Sequence, residues 1–454
     1  MTEVKPPPSP APSWLKSGVL NTVEHVLTRV MDAATSLLLI AWLSPESFSA
    51  LALAQAWVAP VLLFLLCPET ALYRDFERWR AEGTLGRHLA VFRRFAYGKF
   101  PVCLVIAFLL SWLTVPAGHP YLGLGVSLWA VFLMIGPQWS GPDREFLRIS
   151  LKLKRLNQLT LFQKGTLLGL TVLSLLIWGA VPSKALFLAL GASAGISAAA
   201  TALWAYLSAR EAQREAGIPA EGVATAEVWP ILRRVIGSFS LWQHLSGVIW
   251  GWVQTMDIFI LGALGLPARE IGLYASTLKL ANFSQALPLA IGNYFSIWLG
   301  RNTQVPPARE RLEVRRFTWL FFALGIGQVA AFAIASPWVL RLLSRGRWEL
   351  TEQAVMRSWL ICMVIGSALL TLSLPLNTWL VLRRSAQEFF WRTSFVWIFA
   401  AIFIYTLAIR LFGPLLGTDG GFTGAAYGNI AVGGVYSLLV LAMLVGPRTA
   451  GGAR

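Results

Sequence analysis

The chain has 454 residues, 56% of them hydrophobic and only 13% charged, with a mean hydropathy of +0.61. Soluble domains carry about 25% charged residues, so this composition excludes a soluble globular protein and points to a polytopic membrane protein. The formal net charge is +16, from 38 Lys and Arg against 22 Asp and Glu; membrane topology accounts for it below without nucleic acid as a partner.

The N-terminus, "MTEVKPPPSPAPSW", is rich in proline and has no apolar core before a cleavage site. No cleavable signal peptide is expected there, and 1–16 is expected to be a disordered cytoplasmic tail. Twelve candidate spans follow, at roughly 17–43, 47–73, 95–115, 121–142, 157–180, 184–208, 238–264, 270–299, 317–340, 352–382, 391–411 and 422–446. Runs of about 20 apolar residues match the thickness of a bilayer core. The connections alternate in chemistry. Those on one side, such as "SPES" and "VPAGHPY", are short and poor in cations; those on the other, such as "RDFERWRAEGTLGRHLAVFRR" and "DREFLRISLKLKR", are basic. The basic loops and both tails hold 27 of the 38 cations, the opposite side six, and the spans five. The positive-inside rule therefore places both termini in the cytoplasm. "RLLSRGRWELT", Arg341 to Thr351, breaks the pattern as a basic loop on the outer side.

The expected fold is an all-α integral membrane protein with a six-helix lobe at 17–208, a cytoplasmic linker at 209–237, a second six-helix lobe at 238–446 and a tail at 447–454. "LIAWLSPESFSALALAQAW" and "ILGALGLPAREIGLYASTLKL" align with small gaps about 223 residues apart. Six spans per half preserve orientation, so the halves would be related by an axis along the membrane normal, with a central cavity between the lobes.

Ionisable residues inside a membrane are costly and face a cavity or a partner. The candidates are Arg29 and Asp32 in the first span, Asp257 in the seventh and Lys279 in the eighth. Asp257 and Lys279 each lie about nine residues from the outer end of one hairpin, at about 13–14 Å depth, which makes a direct pair reasonable. In one continuous helix, Lys279, Asn282 and Asn293 fall within an arc of about 60°. Two readings stay open: neutralised pairs that lock helices together, or cations lining a path for an anionic headgroup. Lys99 and Lys164 lie near cytoplasmic helix ends and are expected to snorkel; Arg357 is expected at the outer interface.

No cofactor or metal site is expected: Cys67, Cys103 and Cys362 are far apart in apolar sequence, and the four histidines are scattered. "GASAG", Gly191 to Gly195, matches a nucleophile-elbow pattern but sits inside an apolar span, where its glycines fit close helix packing. Together with the absence of a Walker loop, this argues against an enzyme.

"TRVMDAATSLLLIAWLSPESFSALALAQAW" resembles the opening hairpin of bacterial polysaccharide export proteins. "MDIFILGALGLPAREIGLYASTLKLANF" resembles their seventh and eighth helices, where an Asp before an apolar stretch and a Tyr-Ala…Lys-Leu pattern recur. These are the Wzx-type flippases of the multidrug/oligosaccharidyl-lipid/polysaccharide exporter superfamily. The resemblance implies a two-lobed transporter of the bacterial inner membrane that alternates access. Its cargo would be a polyprenyl-diphosphate-linked oligosaccharide, an exopolysaccharide or O-antigen repeat unit, and its partners membrane lipids, a polysaccharide polymerase and glycosyltransferases. Lys279 and Asp257 carry over as cavity residues, and Arg29 and Asp32 with them. The alternatives are a multidrug/cation antiporter of the same superfamily and a non-transporting scaffold of a polysaccharide synthesis complex.

Overall fold

The computed structural model describes residues 13–113, 123–179, 183–219, 221–236, 241–301, 306–383, 385–416 and 420–445. Among them there is no strand. The tails expected at 1–16 and 447–454 lie outside the described residues, apart from 13–16, which open the first helix.

In the first half, α1 (Ser13–Trp42) and α2 (Pro45–Val58) form a hairpin. The Ser44 hydroxyl caps α2 by accepting from Ser47 N–H at 3.3 Å, and Pro45 supplies the preset φ of a first helical position. Pro60 and Pro68 then turn the chain through two 3-10 segments. Short α3 (Leu72–Ala81) and α4 (Leu85–Tyr97) lead into α5 (Lys99–Leu113), α6 (Gly123–Met134), α7 (Gly141–Ile149), α8 (Leu153–Trp178) and α9 (Lys184–Glu215). The part of the expected linker up to Glu215 is therefore a continuation of α9, and α10 (Thr225–Val235) follows.

The second half follows. It runs through α11 (Leu241–Val253), α12 (Met256–Ala263), α13 (Ala268–Asn282), α14 (Ala286–Arg301) and α15 (Pro307–Ser344). Then come α16 (Leu350–Leu372), α17 (Leu374–Arg383), α18 (Ala386–Phe389), α19 (Phe395–Leu416) and α20 (Gly420–Val445). Among the described residues, eight helical segments are long and apolar enough to cross a membrane; α11 and α12, bent by 58° at their junction, make a ninth as one broken span.

Two packed bodies result. In one, α1, α5, α6, α8 and α9 pack on each other; in the other, α15, α16, α19 and α20 do so. The bodies meet mainly where α2 lies against α13 and α1 against α14. A second apolar cluster sits at the basic end, where Leu72, Phe76, Phe92 and Phe146 pack with Leu232 of α10, which attaches that segment to the first lobe. Large apolar side chains such as Leu176, Ile334, Trp338 and Phe403 are exposed on the outward faces, as a bilayer-embedded surface requires.

The "GASAG" glycines sit at the contact between α9 and α6. A Cβ on Gly191 would stand 2.8 Å from Gly125 O, and one on Gly195 3.0 Å from the Phe132 ring. Ser193 is buried and spends its hydroxyl on Ala189 O at 2.7 Å and on Ser174 Oγ at 3.1 Å. Gly191→Leu should therefore separate α6 from α9 and cost about 1–3 kcal/mol or more by overpacking, read as a lower melting temperature of the purified protein. Ser193→Ala should lower the melting temperature far less than Gly191→Leu, because Ser193 Oγ bonds within α9 and to α8 and not to α6; an equal loss would contradict the packing role of the glycines.

Candidate functional site

The charged residues of the interior separate into two places. Asp257 belongs to the second lobe. The α11–α12 break puts it in the first turn of α12, where unpaired N–H groups and the helix dipole favour a carboxylate. It is fully buried, and its oxygens accept from Tyr274 Oη at 2.8 Å, Asn429 Nδ2 at 3.1 Å and Ile258 N–H at 2.8 Å. Asn429 in turn accepts from Tyr405 Oη at 3.2 Å. These neutral donors and the helix terminus satisfy the carboxylate without a cation. The direct Asp257–Lys279 pair expected from depth is thus not formed.

Lys279 turns the other way, to the first lobe, and donates to Gln55 Oε1 of α2 at 3.0 Å. Asp32 of α1 pairs with Lys164 of α8 at 2.6 Å, so it is Lys164 that neutralises it and not Arg29. Arg29, one turn away on α1, has no carboxylate within ion-pairing distance among the described residues. Both Arg29 and Asp32 lie close enough for their charges to act on Lys279. Three cations and one carboxylate are therefore gathered where α1, α2 and α8 of one lobe face α13 of the other.

Lys164 does not snorkel. Its side chain is 18% exposed and ends on Asp32 instead of snorkelling to an interface. Lys99 does not snorkel either. It is 4% exposed and donates to Leu66 O at 2.6 Å and Gln138 Oε1 at 2.8 Å, tying α5 to the end of the first hairpin. Arg357 is exposed, with a long contact to Ala333 O at 3.4 Å.

The continuous Lys279–Asn282–Asn293 stripe is also corrected. A 3-10 turn at Phe283–Gln285 separates α13 from α14. The cause is Pro288, which has no N–H for the carbonyl of Ser284 and would clash with it in a regular helix. Asn282 consequently lines a cavity of about 20 Å³ within the second lobe, together with Gln254, Gln285, Ser367, Tyr405 and Asn429. Asn293 falls on α14, and its side chain lies outside the described residues.

The α2–α13 contact brings together positions that the internal repeat relates. Lys279 and Gln55 are 224 residues apart, and Arg269 and Glu46, also in contact, 223.

No protein-family description and no curated protein matches the sequence. Solved structures do. A mutant of the Vibrio cholerae MATE transporter VcmN overlays with a TM-score of 0.64 at 15% identity, covering 95% of this chain and 97% of that one. The lipid II flippase MurJ in an inward closed conformation gives 0.62 at 11% identity over 94% and 88%. A MOP superfamily transporter from Pyrococcus furiosus, for which a reversed polarity of the binding pocket suggests a different function, gives 0.61 at 13% identity over 95% and 96%. The chain thus has the all-helical fold of MOP superfamily transporters.

Proposed function

We propose that this chain is a transporter that flips a lipid-linked anionic headgroup across a bacterial inner membrane by alternating access between its two lobes. The cargo is a polyprenyl-diphosphate-linked oligosaccharide, a repeat unit of an exopolysaccharide or O-antigen. The observation that supports this most directly is the excess of cations at the lobe interface: Arg29, Lys164 and Lys279 with Asp32 as the one carboxylate beside them among the described residues. A diphosphate cannot enter hydrocarbon without a partner for its charge, and Lys and Arg side chains provide charge-assisted hydrogen bonds to it. The fold supplies the movement; the charge selects the cargo. The resemblance of the two hairpins to polysaccharide exporters agrees with this chemistry.

One feature favours the multidrug reading: Asp257 is an acid ringed by Tyr274, Tyr405 and, farther out, Trp359. Its oxygens are already satisfied by three neutral donors, however, which leaves the carboxylate less available to a cationic drug. Reconstitution decides between the two. Vesicles containing the purified protein should expose a fluorescent polyprenyl-diphosphate oligosaccharide to an added enzyme or quencher faster than empty vesicles, with no movement of a lipophilic cation such as ethidium. Transport of the cation alone would replace this reading by the antiporter, and transport of neither would favour a scaffold.

A further inference from the structure

The basic loop between α15 and α16, which topology left unexplained, is rigidly built. Arg345 (φ 45°) and Gly346 (φ 79°) take left-handed backbone conformations that stop α15. Arg347 N–H donates to Ser344 O at 2.8 Å, and Trp348 is 5% exposed, anchored in the core. Glu349 then opens α16 with a capping box: its N–H donates to Glu352 Oε2 at 2.9 Å.

The purpose of this bracing lies in the other lobe. Arg347 reaches the C-terminal end of α1 and donates to Leu43 O at 3.2 Å, to Trp42 O and Ile40 O at 3.4 Å each, and to Ala41 O. The last carbonyls of a helix lack intrahelical partners and carry the negative end of its dipole, so a guanidinium fork fits them. Beside it, Arg269 of α13 donates to Glu46 of the first lobe at 3.4 Å and to Glu352 of its own at 3.0 Å. One turn further in, α13 touches the opposing backbone: a Cβ on Gly272 would stand 1.9 Å from Pro45 O.

We propose that Arg347 and Arg269 form a reversible latch that closes the central path at the end carrying the Ser44 and Pro267 turns, the outer end by charge asymmetry. The chemistry suits a contact that must open in every cycle. Both arms are polar and touch solvent, so water replaces each bond as it breaks and neither arm is strong alone. When the lobes part, Arg269 keeps Glu352 and is not left bare. Arg347 releases only carbonyls, which hydrate without a change of charge. A dry apolar seal would lack this reversibility. The latch requires that the lobes move against each other, whatever the cargo.

Gly272, Ser276 and Lys279 lie on one face of α13, so Ser276 sits between the latch and the cation cluster; it is 3% exposed. The test places a reporter there. In a chain with Cys67, Cys103 and Cys362 replaced by alanine and carrying Ser276→Cys, a membrane-impermeant maleimide is added outside intact cells. Arg347→Ala should raise the initial labelling rate about three- to tenfold, Arg347→Ala with Arg269→Ala should raise it further, and Arg347→Lys should fall between. Unchanged labelling in the folded double variant overturns the latch, as does a reporter that reacts only with reagent supplied from the cytoplasmic side. If the alanine variants do not accumulate in the membrane, Glu46→Ala removes the inter-lobe acceptor of Arg269 at a partly exposed position. It should also raise labelling, and no rise there is equally contrary. Labelling is read without cargo, so a failure here is separate from a failure to transport the lipid-linked sugar.

Discussion

Lys279→Met should lower transport at least tenfold while leaving the amount of folded protein unchanged or higher. The geometry separates these effects. Among the described residues Lys279 bonds no carboxylate, and its direct partner is the neutral Gln55 at 3.0 Å. Replacing it leaves no buried charge behind and removes the desolvation cost of a membrane-embedded ammonium. A residue kept only for structure would be improved by such a change. A residue that binds a diphosphate loses a charge-assisted hydrogen bond, about 1.5–3 kcal/mol, or roughly 10- to 100-fold. Lys279→Arg should retain part of the activity, because the charge survives while its geometry changes. The measurement is flipping rate in vesicles normalised to folded protein. Full activity of Lys279→Met would remove the headgroup role.

Asp257→Leu should do the opposite and act on folding. It strips the common acceptor from Tyr274 Oη, Asn429 Nδ2 and the Ile258 N–H, all in the interior of the second lobe. Asn429 Nδ2 keeps Ala425 O at 3.2 Å, so two buried donors lose their acceptor; at about 1–3 kcal/mol each a total near 2–6 kcal/mol is expected, seen as a fall in melting temperature and in membrane-inserted protein. Asp257→Asn retains an acceptor and should lose much less. Combining Asp257→Leu with Lys279→Met should not rescue stability, because the two side chains share no bond; their effects should add within about 0.5 kcal/mol. Rescue by the second substitution would mean that the two charges do meet in the folded protein.

The sequence carried the large features because they follow from solvent. Hydropathy gave a membrane protein of apolar helices, and the weak repeat pointed to two halves. The short "SPES" connection marked the turn of the first hairpin, where Ser44 caps α2. Arg29, Asp32, Asp257 and Lys279 stood out because a charge in an apolar run is visible without any structure. Their partners did not, since each is set by a contact across long sequence separation. Lys164 and Asp32 meet through the packing of α8 on α1, and Asp257 finds Asn429 172 residues away.

Two local breaks decided the rest. The turn at Phe283–Gln285 ended the helical period on which the Asn293 stripe depended, and the bend before Met256 made Asp257 a helix-start residue with donors of its own. A regular 3.6-residue period cannot foresee either. The loop Arg341–Thr351 shows the same division: its sequence announced only an anomaly of charge. The end of α1, brought beside it from some 300 residues away, gave Arg347 a set of unpaired carbonyls to hold. Composition and periodicity determine which residues must leave water or answer for a charge. Which residue answers is decided by tertiary packing, because hydrogen bonds act over about 3 Å and no sequence spacing encodes that distance between remote segments.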